Sequence, residues 1–220
     1  MNWVNMGLVG YGRALELQHR LVAGQKIGTE DDVLLLLQHP AVLTLGRRAD
    51  AGNIIASPAE LAREGIEVFN VERGGDVTYH GPGQLVGYPI LNLRHFKKDV
   101  SWFVCAMAEV LVRTLADYGL KSEYRRTQPG VWLGDDKIVA IGVRIESWIT
   151  YHGFAFNINP NMRHWQLIVP CGIADKGVTS LSVALGQSVD VSTVVPQVAR
   201  HFGDVFGVEM RQQQTEDVLA

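Results

Sequence analysis

Residues 73–90 read RGGDVTYHGPGQLVGYPI, five glycines and two prolines set around one histidine and followed by a strand-like tail. One glycine at a positive-φ position suffices for most turns, so this density points to close approach of the backbone to something else. A phosphate loop would use exposed amides, but the spacing GxxxxGK[ST] is absent, and in GIADKGVT Val178 stands where the lysine belongs. A dinucleotide fingerprint fails as well: Gly81, Gly83 and Gly87 have the wrong spacing and lead into a strand rather than a helix. Two readings remain, a wall against which a flat or extended ligand lies and a glycine-rich hairpin with a surface histidine.

Working outward, the elements are mixed. Residues 11–24, YGRALELQHRLVAG, space Leu15, His19 and Val22 with Leu17 and Leu21 at helical intervals, and Gly24 is the expected stop. VLLLLQH and AVLTLG read as strands separated by Pro40, and SPAELAREG as a short helix with a serine N-cap, proline at its first position and a closing glycine. IEVFNVER is the next strand. Residues 100–120 form a long helix with Phe103, Met107, Val110, Leu111, Leu115 and Tyr118 on the core face and Glu109, Arg113 and Asp117 on the solvent face. Strands follow, punctuated at residues 134–136 and near Ser147, and a late helix spans residues 191–207, interrupted or started at Pro196. The expected class is α+β (mixed α/β), a mixed, largely antiparallel sheet flanked by helices, in a single domain over residues 1–220.

Composition narrows the function classes. The net charge of −3 argues against nucleic acid, and the longest aliphatic run, residues 33–37, is far too short to span a membrane. The N-terminus lacks a secretory pattern. The two cysteines, Cys105 and Cys171, form neither a disulfide framework nor a CxxC site, so a reducing cytoplasm is expected. None of the seven histidines falls in a close metal-ligand pair, so no metal is expected. The tetrapeptide TYHG occurs at residues 78–81 and 150–153; the flanks do not match, but its two histidines could line one pocket.

Two residues carry candidate chemistry. Cys171, in LIVPCGIADKG, sits between proline and glycine, where a turn would lift the thiol out of a sheet edge; an inert core thiol is the competing reading. Lys137 heads a strand row with Val139, Ile141, Val143 and Ile145, while Ile138, Ala140, Gly142 and Arg144 face the other way. It either snorkels to water or, if desolvated, becomes a base. Ala140 and Gly142 offer a smooth surface on which a ligand chain could lie close to the backbone.

With RGGDVTYHGPGQLVGY, HPAVLTLG, KIVAIGVRI, TYHGFAFNIN and IVPCGI together, the chain resembles the lipoyl(octanoyl) transferase family from His39 to Ile173, departing at Glu146-Ser147-Trp148, where the family often has a small hydrophilic turn. The resemblance implies the fold shared with biotin and lipoate protein ligases. It implies Cys171 as the acyl-carrying nucleophile and Lys137 as the partner that lowers its pKa. It also implies substrate contacts from Arg73, Gly74, Gly75, Asp76, Val77, Thr78, Tyr79 and His80, from Ala140, Ile141 and Gly142, and from Gly153, Phe154 and Ala155. The implied donor is octanoyl-acyl carrier protein, which delivers the acyl group on its phosphopantetheine arm without ATP or metal. The implied acceptors are lipoyl domains of 2-oxoacid dehydrogenases and the glycine cleavage H protein. Backbone amides near Gly172 and in residues 73–75 are candidates for an oxyanion site. An ATP-dependent lipoate ligase, a thiol hydrolase pairing Cys171 with His80 or His152, and a non-catalytic acyl-binding module are the alternatives. Three basic doublets, Arg47-Arg48, Lys97-Lys98 and Arg125-Arg126, are candidate docking points for an acidic carrier.

Overall fold

The computed structural model describes residues 1–169 and 177–219, so the expectations placed on Cys171 and Gly172 lie outside the described residues. In chain order the elements are β1 (Asn2–Leu8), α1 (Tyr11–Ile27), β2 (Val33–Gln38), β3 (Val42–Leu45), α2 (Pro58–Arg63), β4 (Glu67–Asn70), β5 (Val77–His80), β6 (Gln84–Ile90) and α3 (Val100–Ala116). There follow β7 (Glu123–Tyr124), β8 (Gly130–Leu133), β9 (Asp136–Glu146), β10 (Ile149–Asn157), β11 (Gly177–Val178), α4 (Leu181–Leu185), α5 (Val191–Phe206), β12 (Arg211–Gln212) and α6 (Thr215–Leu219).

Among the described residues the strands make two sheets. The large one runs β12-β1-β2-β6-β10-β9-β8-β7, with β11 also on β9; the small one runs β4-β3-β5. Pairing is parallel where β1 meets β2 and β12, where β11 meets β9 and where β3 meets β4, and antiparallel elsewhere. The expected mixed, largely antiparallel sheet with flanking helices is therefore the architecture found.

Strand β2 explains why the large sheet is covered twice. Its run of leucines leaves no polar face: Leu34 and Leu36 join the core under α3 and α5, while Val33, Leu35 and Leu37 join the core under α1. A strand apolar on both faces needs a layer on each side. Pro40 marks a change of sheet, since β2 lies in the large sheet and β3 in the small one. No helix among the described residues is long and apolar enough to cross a membrane.

Three local expectations change. Helix α1 passes through Gly24 and ends at Ile27, where Gly28 takes the left-handed conformation at φ 78° and donates to the Gly24 carbonyl. Leu17, Leu21 and Val22 are buried while His19 is exposed, so the true stop is the glycine whose backbone can turn, not the first in sequence. Helix α5 starts at Val191, capped by Asp190, and continues through Pro196. Pro196 and Ser192, four residues before it, are both exposed, so water can solvate the carbonyl that proline leaves unbonded. In β9 the alternation breaks. Val131 pairs with Val139 but Trp132 pairs with Lys137, so Ile138 is a bulge residue and is buried in the same core as Val139.

Candidate functional site

The site is built where residues 73–80 cross the large sheet. The face of β9, β10 and β6 turned toward α1 carries small side chains at its centre, with Gly153 opposite Gly142 and Ala155 between Ala140 and Val86. Gly142 has no side chain because residues 73–74 lie directly on it. A Cβ there would meet the Gly74 carbonyl oxygen at 3.0 Å and Arg73 Cδ at 3.4 Å, and the Gly74 amide donates to the Val143 carbonyl at 3.1 Å. Gly87 answers part of the question raised by the glycine density, for a Cβ there would strike the Phe154 ring at 2.1 Å.

Between this floor and the overlying segment is a narrow cavity of about 60 Å³. Arg73, Gly74, Gly75, Asp76, Val77, Thr78 and His80 line it from above, and Ala140, Ile141, Gly142, Gly153, Phe154 and Ala155 from the sheet. Of the residues expected to contact substrate, Tyr79 does not line it. Strand alternation sends Tyr79 to the opposite side of β5, into the small-sheet core with Leu43 and Trp165, where its hydroxyl pairs with His164 Nδ1 at 2.7 Å. The cavity shares Gly74, Gly75, Asp76, Pro129, Ile141 and Gly142 with a wider groove of about 560 Å³, and Lys137 and Arg48 line that groove. Lys137 therefore stands at the mouth, not inside. Its Nζ lies 4.9 Å from the centroid of the Trp132 ring, and its stem passes over Gly130, where a Cβ would come within 3.3 Å of Lys137 Cδ.

The inner end of the cavity is a cluster of polar rings. His80 and His152, the histidines of the repeated tetrapeptide, both line it, along with Tyr11 and Tyr88. Tyr11 stacks on His80 with centroids 6.0 Å apart, and His39 approaches Tyr11 and His80 at 5.0 and 5.8 Å. Burial holds all three imidazoles neutral. It lowers His39 to about 4 and His152 to about 3, and with His39 and Arg73 nearby it puts His80 well below the ordinary range. Burial also raises Tyr11 to about 12. His39 Nδ1 donates to the Val9 carbonyl at 2.7 Å, so Nε2 accepts from the Tyr88 hydroxyl at 2.7 Å. His152 sits in β10 at φ 55°, a conformation that ordinarily costs about 1–3 kcal/mol; its amide is held by Gln18 Oε1 of α1 at 2.8 Å.

Arg73, 8% exposed, is fixed by donating Nε and Nη2 to Thr44 Oγ1 at 3.2 and 2.8 Å and Nη2 to the Thr44 carbonyl at 2.7 Å. Asp76 accepts from the Asp50 and Val77 amides and from Asn53 Nδ2, and the Asn53 carbonyl accepts from the Val169 amide at 2.7 Å. Tyr11, His39, Tyr88, Thr44 and Pro129 were not singled out in sequence. The one local signal for them was the pair of motif stretches, HPAVLTLG and GQLVGY, that contain His39, Thr44 and Tyr88. Among the described residues no group of three or more histidine, cysteine or carboxylate side chains could hold a metal ion.

Residues 10–203 match the family model of the lipoyl protein ligase A/B catalytic domain. An octanoyltransferase of Caldicellulosiruptor saccharolyticus is 48% identical over 99% of this chain and 94% of its own length. One from Alkaliphilus metalliredigens is 46% identical over 96% and 97%. Solved structures agree on the fold. A bipartite lipoate protein ligase from Thermoplasma acidophilum superposes with TM-score 0.78 at 16% identity, covering 99% of this chain and 89% of that one. The biotin protein ligase of Aquifex aeolicus reaches TM-score 0.54 at 12% identity, over 94% and 69%. The chain belongs to the lipoyl protein ligase A/B catalytic-domain family and, within it, to the octanoyltransferases, enzymes that transfer acyl groups.

Proposed function

We propose that this chain moves an octanoyl group from the phosphopantetheine arm of acyl carrier protein to a lysine of a lipoyl domain, through an acyl thioester on Cys171. One observation carries the reading. A narrow cavity floored by Ala140, Gly142, Gly153 and Ala155 leads to a groove lined by Lys137, and β11, six residues beyond Cys171 in sequence, pairs with β9 at Lys137. The acyl chain would lie along this floor from the cavity into the groove, with the reacting ends in the groove beside Lys137.

The chemistry balances in two thioester steps. Lys137 takes the Cys171 proton; the thiolate attacks the donor carbonyl, forming a carbon–sulfur bond as the carrier's carbon–sulfur bond breaks, and Lys137 returns the proton to the departing carrier thiol. The acceptor amine then attacks, a carbon–nitrogen bond replaces the Cys171 thioester, and the amine's proton passes to Lys137 and on to the Cys171 sulfur. The donor is already activated, so ATP has no step to drive. Acceptors of the lipoyl-domain type are supported by the Thermoplasma neighbour, which is described with its E2 lipoyl domain.

Intact-mass measurement after incubation with octanoyl-acyl carrier protein tests the reading. The adduct should form without ATP, map to Cys171, disappear in Cys171→Ser and persist in Cys105→Ser. An adduct on Cys105, an absolute need for ATP, or release of free octanoate as the main product in the presence of an acceptor domain would overturn it.

A further inference from the structure

A buried chain of side-chain hydrogen bonds runs from the cavity to the strand carrying Lys137, and each link orients the next. Asn157, 3% exposed at the end of β10, donates Nδ2 to the Thr179 carbonyl at 3.0 Å, which turns its Oδ1 toward Gln84. Gln84, fully buried, donates Nε2 to that Oδ1 at 2.9 Å and to the Tyr79 carbonyl at 3.1 Å, leaving its Oε1 to accept from His80 Nδ1 at 2.8 Å. His80 Nε2 then accepts from the Thr44 hydroxyl, 3.4 Å away, whose oxygen is already the acceptor for Arg73. At the far end the Thr179 amide donates to the Lys137 carbonyl at 3.0 Å, next to the β11–β9 pairing of Val178 with Lys137.

Strand β11 is two residues long and its pairing with β9 is correspondingly weak. Without Asn157, the Thr179 carbonyl would be left without this partner, and a buried unsatisfied carbonyl is costly enough to move a two-residue strand. We propose that Asn157, oriented by Gln84, is a positioning residue that sets Lys137 against the segment formed by residues 73–80. The proposal rests on the reading of Lys137 as the proton carrier above.

The test uses the full chain in a Cys105→Ser background and reads the pH midpoint of Cys171 alkylation by iodoacetamide, with amide hydrogen exchange at Thr179 and steady-state transfer alongside. Asn157→Leu, close in shape but without hydrogen bonds, should speed exchange at Thr179. It should also raise the alkylation midpoint by about one unit and lower kcat ~10- to 100-fold with KM little changed. Adding it to Lys137→Met should shift the midpoint no further. An unshifted midpoint in folded Asn157→Leu, beside a shifted one in Lys137→Met, overturns the positioning role and leaves the reading of Lys137 standing. Additive shifts overturn it too. An unshifted midpoint in Lys137→Met removes both. If Asn157→Leu does not fold, Gln84→Met breaks the chain one link earlier and carries the same expectations.

Discussion

Strands β9 and β10 show two unlike faces. Toward α3 and α5 they present Val139 and Phe156, with Ile141 and Phe154 reaching the cavity edge as well, and all four share one buried core with Phe103, Met107, Leu111 and Phe202. Toward the 73–80 segment they present Ala140, Gly142, Gly153 and Ala155, with the cavity above them. The same backbone, with the same alternation, fills one face and holds the other open. The filled face supplies apolar burial at about 25 cal/mol per Å²; the open face forgoes it, and the polar rings at its inner end are kept only because each imidazole is neutral or hydrogen-bonded. Substitutions on the two faces should therefore separate stability from transfer.

The largest effect on transfer should come from the mouth of the open face. Lys137→Met should reduce turnover by at least ~10²-fold, and Lys137→Arg, which keeps the charge but cannot give up a proton, should lose most of it as well. Near-normal turnover by a folded Lys137→Arg protein would show that charge alone suffices. On the filled face, Phe156→Ala should cost about 3–5 kcal/mol in urea unfolding while turnover per folded molecule changes little. Equal damage to both properties would break the division between the faces. Ala140→Leu should sharpen it from the other side. It should leave the unfolding midpoint near wild type and strongly reduce transfer of octanoyl, while short acyl donors such as butanoyl retain more of their rate; a uniform loss across chain lengths would argue against an acyl pocket on this floor.

A smaller effect concerns pH. Burial depresses His39 to about 4 and His152 to about 3, from an ordinary value of 6.5. The neutral forms are at home in the fold above 6.5. Between 6.5 and those lowered values the unfolded chain binds protons that the native chain cannot, so stability must fall as pH drops through that window. His152→Gln should flatten the decline measured by urea unfolding between pH 7 and 4, and an unchanged slope would show that His152 is not a source of it. The smallest effect is expected at the surface. Lys97 already pairs with Asp99, and Arg125 with Glu123 and Asp135, whereas Arg48 lines the groove beside Lys137. Alanine at Arg47 and Arg48 together should raise KM for the carrier a few-fold and weaken its salt dependence, with alanine at Lys97 and Lys98 nearly silent.

What the sequence determined by itself is what depends on neighbours along the chain. Period-two alternation gave the faces of β9 from Val139 to Ile145 but not the places of Lys137 and Ile138; the serine N-cap at Ser57 is visible as letters and present in the fold, and the motif residues of 73–80, apart from Tyr79, line the cavity. Alternation also contained the answer for Tyr79, since it cannot share a face of β5 with Thr78 and His80. Tertiary structure alone decided the rest, because those features depend on partners distant in sequence. The bulge at Ile138 exists only in register with β8. The neutral ring cluster gathers Tyr11 from α1, His39 from beyond β2, His80 from β5, Tyr88 from β6 and His152 from β10, and no spacing along the chain encodes that meeting. The alignment of Asn157 with Thr179 is of the same kind, for a side-chain hydrogen bond is specified by two positions in space, and only the strand order of the large sheet, with β10 and β11 both on β9, brings them within 3.0 Å.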